Sequence, residues 1–182
     1  MIKIKKTKFN IFILGDSQVG KTSMIQVYRG NKLNSEELPT IGLDICMSPL
    51  AFEDIEYKFK LFDLSGQEKY KEIFQSKFRL ADGIMLVFSI NDLDSLKNID
   101  NYIKILDEVV KYKKLKIILV GNKVDIGRRV ISNEEAVNFS KKRNLSYYET
   151  SAKTGYRIKE TFNNFFRELY ELNKLKEAKN DS

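Results

Sequence analysis

Gly15-Asp16-Ser17-Gln18-Val19-Gly20-Lys21-Thr22 sets two glycines, a lysine and a hydroxyl at the spacing G-x-x-x-x-G-K-[ST]. Between a strand and a helix, such a segment can hold phosphate. The glycines let backbone N–H groups wrap the oxygens, and the helix N-terminus adds positive potential. Lys21 would bridge the β- and γ-phosphates, and the Thr22 hydroxyl would ligate Mg²⁺. The context fits: Phe9 to Leu14 (FNIFIL) is a short apolar run, and Lys21 to Tyr28 has helical character up to Gly30.

A phosphate loop does not choose a base. Asn122-Lys123-Val124-Asp125 follows the apolar run Ile117 to Val120, where the loop at a strand's carboxyl end can reach a ligand. A carboxylate at Asp125 can accept from N1–H and from the 2-amino group of guanine. Adenine offers neither donor and would leave it unpaired. Asp63-Leu64-Ser65-Gly66-Gln67 closes the run Tyr57 to Phe62. There Asp63 can hold Mg²⁺ through water, the Gly66 N–H can reach a γ-phosphate, and Gln67 can orient an attacking water. Thr40, in Pro39-Thr40-Ile41-Gly42, could give the same Mg²⁺ a second hydroxyl. Ser151-Ala152-Lys153 would complete a base pocket.

Positioning these groups takes an α/β framework. Ile45 to Phe52 and Tyr57 to Phe62 read as a hairpin around Glu53-Asp54, while Gly83 to Ile90, Leu115 to Val120 and Leu145 to Thr150 read as further strands. Leu93 to Val110, Glu134 to Lys142 and Ile158 to Leu175 read as helices, the last with Ile158, Phe162, Phe165, Phe166 and Leu169 on one face. The sum is a six-stranded, mostly parallel sheet flanked by helices. The 182 residues suit one domain, expected over 1–176 with a short polar tail at 177–182.

Composition removes other chemistries. The chain has no histidine and one cysteine, Cys46, which excludes His-based catalysis, a disulfide framework and a multi-cysteine zinc site. No apolar run nears the ~20 residues of a membrane span, so a cytoplasmic protein is expected. The net charge of +7 invites a nucleic-acid reading. However, two short clusters, Lys3, Lys5, Lys6, Lys8 and Lys111, Lys113, Lys114, Lys116, supply the whole excess. They have little aromatic interleaving, so no nucleic-acid partner is expected.

In this order and spacing, GDSQVGKT, PTIG, DLSGQE, NKVD and SAK resemble the five signature elements of Ras-superfamily small GTPases, over about residues 8 to 175. The resemblance implies a P-loop GTPase G domain that binds GTP and GDP with Mg²⁺ and hydrolyses GTP slowly. It implies nucleotide contacts from residues 15–22, Ser23, Leu33, Thr40, Gly66, Asn122, Lys123, Asp125 and Ser151 to Lys153. Thr22, Thr40 and Asp63 would hold the metal, and Gln67 would serve catalysis. Effectors, exchange factors and GTPase-activating proteins would meet the loops around 33–45 and 64–78. GDS, Thr40-Ile-Gly-Leu-Asp44 and Glu149-Thr-Ser-Ala-Lys153 resemble the Rab branch; Gln67-Glu-Lys-Tyr70 and Val87-Phe-Ser-Ile-Asn91 lean toward Ras. A divergent Rab in vesicle traffic is the expectation. A Ras-type signalling GTPase, a GTP-bound scaffold with little turnover and a small-substrate kinase stand as alternatives. Leu64 and Ser65 depart from the Thr-Ala usual before that glycine. No cysteine follows Cys46, so peripheral contact with endomembranes is expected only through a lipidated tail beyond this sequence.

Counted from Lys21, Leu33 stands where relatives carry Phe or Tyr against the guanine, and Glu37 where a tyrosine often covers the phosphates. An aromatic contact adds ~0.5–1.5 kcal/mol beyond its buried area, so Leu33→Phe should slow release of a fluorescent GDP analogue about 2- to 12-fold. Unchanged or faster release in excess Mg²⁺ would show that other groups hold the base.

Overall fold

A computed structural model describes residues 8–32, 43–52, 55–64, 78–110 and 115–180. The described residues form the expected six-stranded sheet, with β1 Lys8–Leu14, β2 Leu43–Phe52, β3 Ile55–Leu64, β4 Gly83–Ser89, β5 Lys116–Asn122 and β6 Ser146–Glu149. The strand order is β2-β3-β1-β4-β5-β6. β2 and β3 pair antiparallel, from Leu43 opposite Leu64 to Phe52 opposite Ile55. Every other neighbouring pair is parallel. The helices are α1 Lys21–Tyr28, α2 Leu93–Lys97, α3 Ile99–Val110, α4 Asn133–Lys142 and α5 Ile158–Asn180.

The apolar runs bury both faces of the central strands. All seven residues of β4 are buried. β1 sends Phe9, Ile11 and Ile13 to one face and Phe12 and Leu14 to the other, the period of two that a strand imposes. The first face is covered by Met24 and Ile25 of α1 and by Ile158, Phe162, Phe165, Phe166 and Leu169 of α5. There Phe166 stacks on Phe59 at 4.1 Å, and Phe59 on Phe9 at 5.2 Å. The opposite face packs on Leu96, Ile99, Tyr102 and Leu106 of α2 and α3 and on Ala136 of α4. Ser132 and Glu135 cap α4 reciprocally, which explains its sharp start.

Two helices differ from the expectation. The stretch expected as one helix from Leu93 to Val110 is interrupted at Asn98, whose side chain bonds away from the helix to Asp16. Before it, Asp92 caps α2 by accepting from the Asp94 and Ser95 amides. α5 continues to Asn180, past the Leu175 where its apolar pattern ends, so residues 177–180 of the expected polar tail are helical. No glycine or proline stops that segment, and the Asn173 amide donates to Glu177 one turn on at 2.8 Å. Among the described residues, no helix is long and apolar enough to cross a membrane.

The β4–α5 contact leaves no spare volume at Gly83. A Cβ there would lie 2.7 Å from Phe165 Cζ and 3.0 Å from both Leu169 methyls. Gly83→Ala should therefore destabilise the protein by about 1–3 kcal/mol in urea unfolding. Gly127, with nothing within 4 Å of its added Cβ, is the control: Gly127→Ala should shift stability by no more than about 0.5 kcal/mol.

Candidate functional site

The parallel strands bring their carboxyl ends to one edge of the sheet. β1 runs into the Gly15–Gly20 loop, β5 into Asn122–Asp125 and β6 into Ser151–Lys153, while Asp63 lies near the end of β3. The loop between β1 and α1 depends on glycine at two points. Gly15, at φ +152, would place a Cβ 2.0 Å from the Val87 carbonyl oxygen. Gly20, at φ +97, would place one 2.3 Å from Asn122 Nδ2. Between them Ser17 and Gln18 are exposed, Val19 is buried, and Gln18 holds a left-handed φ of 63° without being glycine.

Lys21 turns back over this loop. Its Nζ donates to the Gly15 carbonyl at 2.9 Å and to the Asp16 carbonyl at 2.7 Å. The side chain is only 6% exposed, and that burial lowers its pKa to about 8 against the opposing pull of Asp63 and Asp16. Thr22, the next residue, donates its hydroxyl to Asp63 Oδ2. Asp63 is 2% exposed. A hydroxyl and a buried carboxylate side by side are the hard oxygen donors that Mg²⁺ prefers, and the rest of its shell would come from water and phosphate. The two residues therefore fit that cation.

Asn122 joins the phosphate loop to the two base loops. At 1% exposure its Nδ2 donates to the Val19 carbonyl at 2.9 Å, and its Oδ1 accepts from the Ala152 N–H at 3.1 Å and the Thr150 hydroxyl at 3.2 Å. Ser151 in turn donates its hydroxyl to Asp125 Oδ1 and accepts from the Thr154 N–H at 3.1 Å. Gly20, Ser23, Asn122, Lys123, Asp125, Ile126, Ala152 and Lys153 line a recess of about 260 Å³. Residues far apart in sequence thus converge on one pocket beside the loop. Leu33, Thr40, Gly66 and Gln67, also expected in the site, lie outside the described residues, as do Glu37 and Ser65.

Sequence reasoning missed the scaffold behind the pocket. Glu149 accepts from both terminal guanidinium nitrogens of Arg129, from Asn133 Nδ2 at 3.0 Å and from the Tyr147 hydroxyl at 2.9 Å. Burial alone would raise the Glu149 pKa, but these donors carry it below the usual carboxylate value. The same burial, reinforced by Glu149, pushes the Tyr147 phenol up. This cluster pins the chain after Asp125 to β6, just before Ser151. The glutamate within Glu149-Thr-Ser-Ala-Lys was visible, but nothing in sequence paired it with an arginine 20 residues away.

Truncating Asn122 would remove the side-chain partner of the Val19 carbonyl and of the Ala152 N–H, and leave the Thr150 hydroxyl only Met24 Sδ at 4.0 Å. Asn122→Ala should cost about 2–4 kcal/mol in chemical unfolding without added ligand. A change smaller than about 1 kcal/mol would show that the three loops hold one another without it.

Comparison with known proteins follows the same lines. The sequence model of the Ras family matches residues 10–171. Ras-related protein Rab-13 of Canis lupus familiaris is 32% identical over 170 residues, covering 93% of this chain and 83% of its own length. Ras-related protein Rab-15 of Homo sapiens is 33% identical, covering 89% of this chain and 76% of its own. Ras-related protein RABG3f of Arabidopsis thaliana is 33% identical, covering 87% and 80%. The chain belongs to the Ras family, as a divergent small GTPase of its Rab branch.

Proposed function

We propose that this protein is a guanine-nucleotide switch that hydrolyses GTP slowly and serves vesicle traffic from the cytoplasmic side of endomembranes. The observation that carries the guanine reading is Asp125, held by the Ser151 hydroxyl at a recess that Gly20 of the phosphate loop and Ser23 of α1 share. In that position the carboxylate accepts from guanine N1–H and the 2-amino group, and Ala152 and Lys153 close over the ring. Lys21 gives up the two carbonyls it now holds and donates to β- and γ-phosphate oxygens. Bound phosphate favours the ammonium form that burial disfavours.

Thr22 and Asp63 would hold Mg²⁺, Thr22 directly and Asp63 through water, with Thr40 a third contributor. The cation would supply charge neutralisation on the transferring phosphoryl group. Gln67 orients the attacking water and the Gly66 N–H contacts the γ-phosphate, so loss of that phosphate releases both loops. Effectors, exchange factors and activating proteins would read that change at residues 33–45 and 64–78. A second reading, a GTP-bound scaffold with little turnover, is favoured by Leu64 and Ser65 beside the catalytic glutamine.

The test is a competition titration against a fluorescent GDP analogue, with a single-turnover assay of GTP. GDP should compete about 10⁴-fold better than ADP, because adenine leaves Asp125 desolvated and unpaired. Asp125→Asn should shift preference toward xanthine nucleotides, whose 2-carbonyl accepts from the new amide. Equal competition by GDP and ADP would end the guanine reading. GTP retained without phosphate release over hours would replace the switch with the scaffold.

A further inference from the structure

Asp16 is the second residue of the phosphate loop, and its two halves face different groups. Its backbone carbonyl accepts from Lys21 Nζ at 2.7 Å. Its carboxylate is taken by the junction of α2 and α3: Oδ2 accepts from Nδ2 of Asn98, between the two helices, at 2.7 Å, and Oδ1 from the Tyr102 hydroxyl of α3 at 3.2 Å. Asn98 and Tyr102 are four residues apart, so they share a helical face, and Tyr102 is 6% exposed within the core under β4. Asn101 donates its amide to Asn98 Oδ1 at 3.3 Å, which leaves Asn98 Nδ2 for Asp16.

A carboxylate at this position is a liability for a loop that binds polyphosphate. It already interacts electrostatically with the Lys21 ammonium. Left without donors, it would compete with phosphate for that cation and repel the phosphate itself. Asn98 and Tyr102 bring no charge, so they hold the anion without removing it. Their effect is on direction.

We propose that Asn98 and Tyr102 are positioning residues that act through Asp16, holding its carboxylate off the phosphate cradle so that the loop retains a di- or triphosphate. The proposal rests on the nucleotide reading above and deepens it. It separates from a plain structural staple by a sign. If the three groups only tie α3 to the loop, removing Asp16 from a variant that has already lost Asn98 changes nothing or harms further. If the freed carboxylate is the damage, removing it repairs the defect.

The experiment measures release of a fluorescent GDP analogue, in excess Mg²⁺, from the full chain and its variants loaded with that analogue. Asn98→Ala should speed release about tenfold, the scale of one lost hydrogen bond to a charged group. Asn98→Ala combined with Asp16→Ala, which keeps the loop backbone, should release severalfold more slowly than Asn98→Ala alone. Tyr102→Phe, which keeps the ring in the core, should give a smaller acceleration, likewise reversed by Asp16→Ala; this pair decides the matter if Asn98→Ala does not fold. Release from the double variants as fast as from the single ones, or single variants that release at the unmodified rate, would overturn the proposal and leave the nucleotide reading standing. An unmodified protein that retains no analogue would overturn both.

Discussion

A primary amide buried without partners costs several times what one satisfied hydrogen bond contributes, so where one is buried its partners must stay in place. Asn122 is such an amide. Its nitrogen is committed to the Val19 carbonyl of the phosphate loop, and its oxygen to the Thr150 hydroxyl and the Ala152 N–H after β6. One side chain at the end of β5 thus fixes the relative positions of three loops that start from three strands. Gly20 has no Cβ because that amide occupies the space. The recess between the loops exists at its observed size only while these bonds hold.

The sheet supplies the rigidity that makes such a constraint useful. β4 and β5 sit between two apolar layers, and their registers run from Gly83 opposite Lys116 to Ser89 opposite Asn122. A one-residue slip would turn Ile84, Leu86 and Phe88 to the wrong face and carry Asn122 away from Val19. Register, set by side-chain packing against the two apolar layers, therefore decides polar geometry at the edge. The stacked rings of Phe9, Phe59 and Phe166 do similar service on the other side, anchoring α5 against β1 and β3.

What was legible in sequence follows from which interactions are local. The phosphate loop was readable because its chemistry is contiguous: glycines, lysine and hydroxyl lie within eight residues and their strand and helix abut them. The strands of the sheet were readable because burial on both faces leaves nearly continuous apolar runs. The Arg129–Glu149 pair and the Asp16–Asn98–Tyr102 contact were not, because each joins residues 20 to 86 positions apart through fold geometry alone. The interruption at Asn98 was hidden for the same reason: the apolar pattern runs on through it, and the group its side chain bonds, Asp16, lies 82 positions away just past β1. The end of α5 was misplaced because the apolar face stops before the helix does, and beyond it only propensity and a half-buried Asn173–Glu177 contact carry the turn.

The site carries several unfavourable terms. Lys21 is buried with a depressed pKa, Gln18 and Lys123 hold left-handed backbone at φ 63° and 69°, and Asp63 and Asn122 are polar groups at 2% and 1% exposure. Left-handed backbone costs a non-glycine residue roughly 1–2 kcal/mol, and burial of an ammonium disfavours its charged form further. None of these terms improves packing. A polyanion reaching the Lys21 ammonium would favour the charged form that burial disfavours. The two apolar layers hold the strained loop in place until then. Asn144 and Arg157 hold the same left-handed backbone away from the site, so strain alone does not mark it; what sets the phosphate loop apart is that a strained residue, Gln18, lies three positions from a buried ammonium whose charged form a bound polyanion would favour.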